Sequence, residues 1–359
     1  MSKPRLISFY LPQYYPTAEN DKWWGKGFTE WTNVGRAKPL YFGHDQPKVP
    51  TDLGYYDLRL HEPREGQALL AKEAGIEGFC YWHYWFGNGK RLLDIVFKEV
   101  VETGKPDFPF CLCWANHSWY AKTWDPEIPD KLLMEQRYLG VEDYTMHFME
   151  MLPAFKDRRY MKVGKKLIFG IFSPHNFKDF SKFKETWNRL AIENGLEGFY
   201  FFALNRIPSK ERYLYNLGYD SVVTDCVDLR LQEQSKISRY FNAILSRLRI
   251  ARTTNYNSYC NDLLKNYKVS STTHPCIYPN FDHSPRSGYR GIILRNSTPK
   301  HWYKFLRSVF AITASREHDD NLIFIKAWNE WGEGNYMEPD LKYGKGYIVQ
   351  TRKAYDETR

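Results

Sequence analysis

The chain has 359 residues, of which 43% are apolar and 17% aromatic, and its formal net charge is +9. This apolar content excludes a disordered chain, and the length allows one large domain with a sizeable core or two ordinary domains. The basic balance suits phosphate-bearing partners such as nucleic acid, anionic lipid or nucleotide sugars, and it suits an ordinary solvated surface equally well.

The N-terminal apolar run ends at Pro12, and it is shorter than the ~7–15-residue core of a signal peptide. No later run approaches the ~18 apolar residues of a membrane-spanning helix. We therefore expect a cytoplasmic protein, with peripheral attachment to the inner membrane face as the alternative. The cysteines form no CxxC pair and no zinc-like cluster, so we expect buried thiols in a reducing compartment and no metal site. They are Cys80, Cys111, Cys113, Cys226, Cys260 and Cys276.

Eight short apolar runs follow one another along the chain, each rich in β-branched or aromatic residues. Such nearly continuous runs are typical of strands that are buried on both faces, as in a parallel sheet. The runs are Arg5–Pro12, Gly75–Trp85, Phe108–Asn116, Lys166–Pro174, Leu196–Asn205, Asp220–Val227, Pro275–Asp282 and Asn321–Trp331.

Amphipathic segments between these runs read as helices, and the clearest is Glu62–Gly75, with Pro early and Gly at its end. The alternation predicts a (β/α)₈ TIM barrel, a single domain spanning residues 1–359 with loop elaborations. The runner-up is an open doubly wound sheet, but no GxGxxG or GxxxxGK[ST] motif follows the first strand.

The longest interruption is an insertion at about residues 226–274. Within it, Lys236–Arg252 carries five basic residues and no acidic residue, with apolar side chains at helical spacing. This segment could be a surface helix that lies on an anionic membrane. An ordinary barrel helix that packs its apolar stripe is the preferred interpretation.

In such a barrel, chemistry takes place at the carboxyl ends of the strands. The 12 Trp and 27 Tyr residues of the chain exceed what packing alone needs, and these rings suit the faces of sugars. Each candidate by itself is more often structural, but their common location predicts a sugar site. The candidates are Tyr14, Trp82, His83, Tyr84, Trp114, Asn116, Trp119, Asn205, Asp225, Trp328, Asn329 and Trp331.

Two glutamates, Glu330 and Glu333, follow the last apolar run and are three residues apart. Cleavage of a glycosidic bond needs one carboxylic acid that protonates the leaving oxygen and a second carboxylate that acts as base or nucleophile. Residues three apart on a turn lie on one face, where like charges push the two pKa values apart. Gly332 and Gly334 would let this turn approach a ligand closely. A capping or salt-bridged pair is the usual interpretation of this spacing, but the position at a strand end beside two tryptophans favours a catalytic pair.

The segment Trp328–Asp340, WNEWGEGNYMEPD, resembles the signature of WbsX-type proteins from bacterial surface-polysaccharide gene clusters. Those proteins are similar to the endo-α-mannosidase family, glycoside hydrolase family ninety-nine. Other matching stretches are FYLPQYYP, GFTEWTNV, DLGYYDLR, GIEGFCYWHYWF, KPDFPFCLCWAN and the pair Trp124–Asp125. The resemblance covers essentially the whole chain.

The resemblance implies a (β/α)₈ barrel that acts on glycosides with retention and needs no cofactor or metal. It implies that Glu330 deprotonates the sugar 2-hydroxyl, which attacks the anomeric carbon to give a 1,2-anhydro sugar. Glu333 would protonate the leaving oxygen and later activate water, and Tyr14 and Glu30 would contact the substrate. His117 stands where relatives more often carry an acidic residue, which leaves the sugar or the acceptor open.

Three functions remain open from the sequence. The first is a retaining enzyme that acts on glycosidic bonds of bacterial surface polysaccharide. The second is a glycosyltransferase of O-antigen or capsule biosynthesis, which uses nucleotide sugars or a lipid-linked glycan at the membrane surface, although the usual nucleotide-binding and DxD motifs are absent. The third is a non-catalytic glycan-binding barrel. We expect an oligosaccharide or polysaccharide partner and, because no recognised nucleic-acid motif appears, no nucleic acid.

Overall fold

Eight parallel strands close into a barrel, each paired with the next along the chain and the last paired with the first. The structure is a computed structural model, and it describes residues 3–121, 130–225, 240, 244–245, 247–267 and 270–358. The barrel strands are β1 (Arg5–Tyr10), β2 (Gly78–His83), β3 (Phe110–Trp114), β4 (Lys166–Ile171), β5 (Phe199–Asn205), β6 (Ser221–Asp225), β7 (Thr273–Ile277) and β8 (Leu322–Ile325). The predicted (β/α)₈ barrel is confirmed.

Helices surround the barrel and fill its connections. They are α1 (Ala18–Trp24), α2 (Glu30–Arg36), α3 (His61–Ala74), α4 (Ile95–Thr103), α5 (Val141–Phe155), α6 (Phe180–Glu193), α7 (Glu211–Asn216), α8 (Tyr256–Asn266), α9 (Ser284–Ser287), α10 (Pro299–Thr313) and α11 (Gly346–Asp356). Among the described helices, none combines the length and the apolar character that crossing a bilayer requires.

Short strands add to the connections outside the barrel. Three of these pairs are antiparallel: Lys162–Val163 with β4, Trp119–Ala121 with Lys131–Met134, and Asn329–Glu330 with Asn335–Tyr336. The strand Arg252–Asn255 pairs parallel with Ile292–Arg295.

Aromatic rings fill the barrel interior. Phe9 of β1 stacks on Trp82 of β2 with ring centroids 4.6 Å apart, and Phe202 of β5 packs against Phe324 of β8 at 4.8 Å. Gly170 of β4 leaves the space for one of these rings, since a Cβ atom there would lie 2.2 Å from the Phe202 side chain. The interior is therefore a packed core, and functional groups are confined to the ends of the strands.

A second aromatic cluster joins the strands to the helices. Trp187 of α6 is fully buried and packs against Phe169 and Phe199, with ring centroids 4.7 and 5.1 Å apart. Its indole N–H donates to the carbonyl oxygen of Tyr144 on α5 at 3.0 Å. Much of the aromatic excess seen in the sequence thus serves the core rather than a sugar site.

Several helices begin or end at residue types that commonly cap helices. The helices α3 and α4 stop at Gly75 and Gly104, whose φ angles of 83° and 71° lie in the left-handed region. The helix α10 begins at Pro299. Thr298 caps it, because the Thr298 hydroxyl accepts a hydrogen bond from the His301 N–H at 3.3 Å.

The last strand is shorter than predicted. The apolar run indicated a strand that continues to Trp331, but β8 ends at Ile325 and the chain then forms a separate hairpin. The backbone N–H of Trp328 donates to the carbonyl oxygen of Phe9 at 2.7 Å, which ties the exit of β8 to β1. The hairpin consequently stands at the carboxyl end of the barrel.

Some predicted features lie outside the described residues: Trp124–Asp125, Cys226 and, within Lys236–Arg252, residues 236–239, 241–243 and 246. The described part of the predicted insertion contains α8 and the strand Arg252–Asn255, which pairs with Ile292–Arg295. The described cysteines are all buried and free of disulfides. The assignment of residues 1–359 to one domain stays a prediction.

We expect Gly170→Ala to lower the free energy of unfolding by about 1–3 kcal/mol, because the added methyl group must displace the Phe202 ring in a filled interior. Urea unfolding followed by circular dichroism measures this. Gly35 of α2 has open space around its Cβ position, so Gly35→Ala should be neutral or stabilising by up to about 1 kcal/mol. Equal stabilities for the two variants would contradict a packed barrel interior.

Candidate active site

The hairpin at residues 329–336, called the glutamate hairpin below, carries Glu330 and Glu333 beyond the end of β8. Its strands pair antiparallel, and a 3₁₀ turn at Trp331–Glu333 joins them. Glu330 is 5% exposed, and the Glu333 side chain is 17% exposed. The turn places the two carboxyl groups within hydrogen-bonding reach of each other, and this hydrogen bond raises the pKa of Glu330 and lowers that of Glu333.

Contacts from the N-terminal part of the chain fix this hairpin. The Asn329 side chain accepts from the Leu11 N–H at 2.8 Å and donates to the Leu11 carbonyl at 3.0 Å. The Tyr14 hydroxyl donates to the Asn329 carbonyl at 2.5 Å and accepts from the Trp331 N–H at 3.0 Å. The Trp331 indole donates to the Glu338 carboxylate at 2.6 Å. Tyr14, Asn329 and Trp331 are fully buried and hold the hairpin in place, while their predicted role in substrate binding stays a prediction.

Gly332 and Gly334 are required by the protein rather than by a ligand. A Cβ atom on Gly332 would lie 2.1 Å from the Glu30 carboxylate and 3.1 Å from Nε of Arg286. Gly334 has a φ of 51°, and a Cβ atom there would lie 2.7 Å from Asp282. The predicted close approach exists, but its partners are an ion pair and a neighbouring loop.

Glu330 lies against the aromatic end of the barrel interior. The Trp82 indole N–H donates to Oε1 of Glu330 at 2.7 Å. Burial, followed by the negative charge of Glu333, raises the pKa of Glu330 well above its usual range. The positive charges of Lys326 and Arg286 offset only part of this shift. Glu330 is therefore protonated near neutral pH.

Glu333 has the opposite environment, because Arg286 of α9 lies between Glu333 and Glu30. Nη1 of Arg286 lies 2.5 Å from Oε1 of Glu333, while Nε and Nη2 lie 3.1 and 3.0 Å from Oε2 of Glu30. The Nε2 atom of His283 lies 3.8 Å from the same Glu333 oxygen. Burial alone would raise the pKa of Glu333, but the charge of Arg286, and then that of His283, holds it well below the usual range. Glu333 is therefore ionised at neutral pH.

Asp225 is engaged by the protein at the end of β6. Its Oδ1 accepts from the Tyr278 hydroxyl at 2.5 Å, and its Oδ2 lies 3.5 Å from Nζ of Lys326. The charge of Lys326 lowers the pKa of both Glu330 and Glu333. Asp225, which was predicted to bind sugar, thus holds a cation next to the glutamate pair.

Three of the predicted aromatic residues form one wall beside the pair. Trp82 contacts Glu330 directly, and the charge of Glu330 acts on the Tyr84 hydroxyl, whose pKa is raised first by burial and then by that charge. Trp119 packs edge-on against Tyr84 with ring centroids 5.3 Å apart, and against Trp23 at 5.9 Å. Trp119 is only partly buried, so its ring extends the wall outward.

His117 joins this wall from the β3 end. Its ring lies 4.9 Å from the ring of Phe172, which contacts Trp82 edge-on at 5.2 Å. Burial, and then the charge of Arg206, lowers the pKa of His117 to about 4. Position 117 therefore holds a neutral imidazole at neutral pH.

Several predicted site residues face away from the pair. Successive residues of a strand point to opposite faces, so His83, which follows the inward Trp82, points outward and lies 2.7 Å from His147 through the two Nε2 atoms. Trp114 lies opposite His83 in the sheet. Its indole N–H donates to the carbonyl oxygen of Trp85, just beyond β2, at 2.9 Å. Trp328 is fully buried. Sugar binding by His83, Trp114 and Trp328 stays a prediction.

The two predicted asparagines connect loops at the barrel mouth. The Asn116 amide accepts from the Ser173 N–H at 2.7 Å and donates to the Tyr138 hydroxyl at 2.9 Å. Asn205 is fully buried and lies 3.2 Å from the His175 ring through its Oδ1 atom. Asn116 thus ties the β3 loop to the β4 loop, and Asn205 ties the end of β5 to the β4 loop.

Arg286, His283 and Lys326 were not predicted as site residues. Each follows a strand of the barrel, the first two after β7 and the third directly after β8. A signal was present, because the carboxyl end of β7 was among the expected site segments and a pair of close carboxylates needs nearby cations. The sequence does not show which of its 51 Lys and Arg residues meets the pair.

The described residues contain no group of three or more His, Cys, Asp or Glu side chains that is arranged to hold a metal ion.

Comparison with known proteins assigns the chain to a family. A family profile described as Glycosyltransferase WbsX matches residues 6–351. The WxcX protein of Xanthomonas campestris pv. campestris is 31% identical over 351 residues, which cover 97% of this chain and 49% of that protein. The chain belongs to the WbsX glycosyltransferase family. It spans about half the length of the curated relatives it matches.

Solved structures share the barrel of this WbsX-family chain. A GH99 endo-alpha-mannosidase from Bacteroides thetaiotaomicron, in complex with bis-tris-propane, superposes with a TM-score of 0.61 at 14% identity, covering 100% of this chain and 98% of the other. A glycoside hydrolase-like protein superposes with a TM-score of 0.57 at 13% identity, covering 99% and 94%. These likenesses show the fold, and membership of the WbsX family makes the chain a member of a glycan-active enzyme family.

We expect Arg286→Gln to raise the pKa of Glu333 and to lower the free energy of unfolding by about 3–5 kcal/mol, since it leaves two largely buried carboxylates without their cation. Carboxyl ¹³C NMR titration and urea unfolding measure the two effects. Arg286→Lys, which keeps the charge, should shift the pKa less. Arg189→Gln is the control, because it breaks only an exposed pair with Glu193 and should cost at most about 1 kcal/mol. An unchanged Glu333 titration in Arg286→Gln would refute this electrostatic role.

The raised pKa of Glu330 also predicts a pH dependence of stability. A carboxyl whose pKa is higher in the folded state contributes stability that is complete below the unfolded pKa of about 4.3 and is lost as pH rises through the folded pKa. We therefore expect the wild-type protein to lose stability as pH rises through the raised pKa of Glu330. The Glu330→Gln variant has no carboxyl at this position and should not show this loss. Urea unfolding of both proteins across this range checks it, and parallel curves would contradict a protonated Glu330.

Proposed function

We propose that this WbsX-family chain is a retaining enzyme that acts on glycosidic bonds of bacterial surface polysaccharide, with Glu330 and Glu333 as the catalytic pair. The observation that supports it best is the presence of two neighbouring, largely buried carboxyl groups in unlike charge states at the end of β8. Acid–base cleavage of an acetal needs one proton donor and one proton acceptor at the same centre. The family description and the endo-α-mannosidase-like fold agree with glycan chemistry.

The proposed reaction proceeds in two balanced steps. In the first, the Glu330 carboxylate takes the proton of the sugar 2-hydroxyl, O2 attacks the anomeric carbon, and the glycosidic C–O bond breaks as Glu333 protonates the leaving oxygen. In the second, the Glu333 carboxylate takes a proton from the acceptor hydroxyl, whose oxygen attacks the anomeric carbon. The C1–O2 bond of the 1,2-anhydro sugar then breaks, and Glu330 returns the proton to O2. Two displacements at one carbon retain its configuration.

These roles require a proton transfer within the pair. In this structure Glu330 holds the proton and Glu333 is ionised by its contact with Arg286. A sugar 2-hydroxyl that donates to Glu330 favours the ionised form of that residue, so substrate binding would shift the proton toward Glu333. Arg286 keeps a carboxylate partner during this shift, because its other edge already contacts Glu30.

The acceptor decides between hydrolysis and transfer. Water as acceptor gives a glycoside hydrolase, whereas a sugar hydroxyl gives a glycosyltransferase. The WbsX family description favours transfer, and a lipid-linked glycan as acceptor would place the reaction at the cytoplasmic face of the inner membrane. The same pair serves both reactions, since only the nucleophile of the second step differs.

We expect Glu330→Gln and Glu333→Gln each to lower the rate on a natural glycan by about 10²–10⁴-fold, the usual contribution of a general acid or base. A glycosyl fluoride has a leaving group that needs no protonation, so with it Glu333→Gln should recover most of the first step and Glu330→Gln should not. Chromatography of the products released from surface polysaccharide and from the glycosyl fluoride measures the rate on each substrate.

Three outcomes of this experiment would change the proposal. Recovery by Glu330→Gln instead of Glu333→Gln would exchange the two roles. Turnover that appears only with an added nucleotide sugar, and lengthens a lipid-linked glycan, would replace the anhydro-sugar reaction with a donor-dependent transferase. Glycan binding that survives in the double variant, with no turnover by the wild-type protein, would leave a non-catalytic glycan-binding barrel.

A further inference from the structure

A polar cavity of about 330 Å³ lies behind the glutamate hairpin. Its walls are the loop at residues 41–48, the segment at residues 293–298 and Gly334 of the hairpin. The volume falls within the ~300–1,000 Å³ range of small-molecule sites. Neither catalytic glutamate is part of the lining, so the cavity is a separate feature of the same end of the barrel.

One carboxylate of the lining, Asp45, is neutralised by two lysines. Nζ of Lys48 lies 2.5 Å from Oδ2 of Asp45, and Nζ of Lys342 lies 3.4 Å from the same oxygen. With two cations and one carboxylate, this cluster contributes net positive charge to its side of the cavity.

The remaining carboxylates of the lining are also engaged. Asp282 accepts from the Gln46 amide at 2.7 Å, and its Oδ2 lies 2.7 Å from Nε2 of His44. Asp340 accepts from the Tyr336 hydroxyl at 2.6 Å. These partners hold the two carboxylates in place but do not remove their charge, so the three carboxylates of the lining balance the formal charges of Lys48, Lys342 and Arg295. Binding of an anion therefore depends on direct contact with a cation of the lining that is not already paired.

Arg295 supplies a guanidinium to the cavity without a carboxylate partner of its own. It lines the cavity at the end of the strand Ile292–Arg295 and is exposed. Within the described ranges it makes no ion pair, while its charge acts on the Tyr41 hydroxyl. A guanidinium presents a planar fork that matches a carboxylate or a phosphate group.

Aromatic rings line the same cavity. The Tyr41 ring stacks on the His44 imidazole with centroids 4.5 Å apart and an interplanar angle of 11°. Phe42 is fully exposed, and Tyr343 adds a further ring to the lining. Flat aromatic faces bind the C–H faces of sugar rings, so the cavity combines a sugar-binding surface with an anion-binding group.

We infer that this cavity binds an anionic sugar unit, with the carboxylate or phosphate of the sugar on Arg295 and the ring against Tyr41. The ligand's identity as part of a glycan rests on the proposed function, and the inference extends that function to a substrate class, an acidic polysaccharide. The backbone also links the two places, because the Asp282 N–H donates to the Glu333 carbonyl at 2.7 Å and Gly334 lines the cavity directly.

The test measures direct binding by calorimetry and ligand-observed NMR with three probes: methyl glucuronide, glucose 1-phosphate and methyl glucoside. We expect at least one anionic probe to bind about tenfold more tightly than the neutral glucoside. Preference for the glucuronide assigns a uronic acid unit, and preference for the phosphate assigns a sugar phosphate. Equal affinity for all three probes, or binding of none, would overturn the inference.

Variants locate the binding and separate it from catalysis. Arg295→Gln should abolish the tenfold preference and leave the weak glucoside binding in place, with an unchanged thermal unfolding curve. Arg352→Gln is the matched control, because Arg352 lies on α11 and pairs with Asp356 at 2.8 Å, and it should bind like the wild-type protein. If the Arg295→Gln variant kept the preference for an anionic probe, the cavity would be excluded as the binding site. The measurements are repeated in the Glu330→Gln, Glu333→Gln double variant, so a failure of the proposed catalysis leaves the binding result intact.

Discussion

The ion pair of Arg286 with Glu30 and Glu333 is the constraint on which the site depends. Two carboxyl groups that are close together and removed from water cannot both be ionised without a cation, and this arginine supplies one to Glu333 alone. Glu330 accepts an indole N–H from Trp82, and its burial beside the charge of Glu333 keeps it protonated. A difference in neighbours, rather than in residue type, therefore makes two glutamates chemically distinct.

The barrel makes this arrangement possible by separating packing from chemistry. Its interior is filled by rings such as Phe9 and Phe202, and the glutamate pair lies beyond the end of β8. The glutamate hairpin lies at the carboxyl end of the barrel. It is held by the connection that follows β1, through the Tyr14 hydroxyl and the Leu11 backbone. Glycines at 332 and 334 admit the neighbouring ion pair and loop, which any Cβ atom would displace.

The barrel could be predicted from the sequence because its signal is local: each strand is a continuous apolar run, and helices such as α3 end at a glycine. The glutamate pair could be predicted for the same reason, since both members lie in one short segment at a strand end. The surroundings of the pair depend on side-chain direction, which reverses at every residue of a strand, so the sequence does not show that Trp82 contacts Glu330 while its neighbour His83 points away. Composition does not reveal burial either, and the structure buries both Trp328 and Trp331. Arg286 comes from a different connection of the barrel, and the spacing of residues along the chain does not show such a contact.

The contacts that hold the glutamate hairpin join residues far apart in the chain: Tyr14 and Trp331 are separated by 317 positions, and Trp82 and Glu330 by 248. Contacts of such long range carry a large loop-closure cost and tend to form late in folding. A barrel that has not yet docked its eighth strand onto its first leaves the Tyr14 hydroxyl and the Trp82 indole without these partners. The surroundings of the acid pair are thus completed by closure of the barrel, and a chain that stalls before closure lacks the contacts that hold the glutamate hairpin in place.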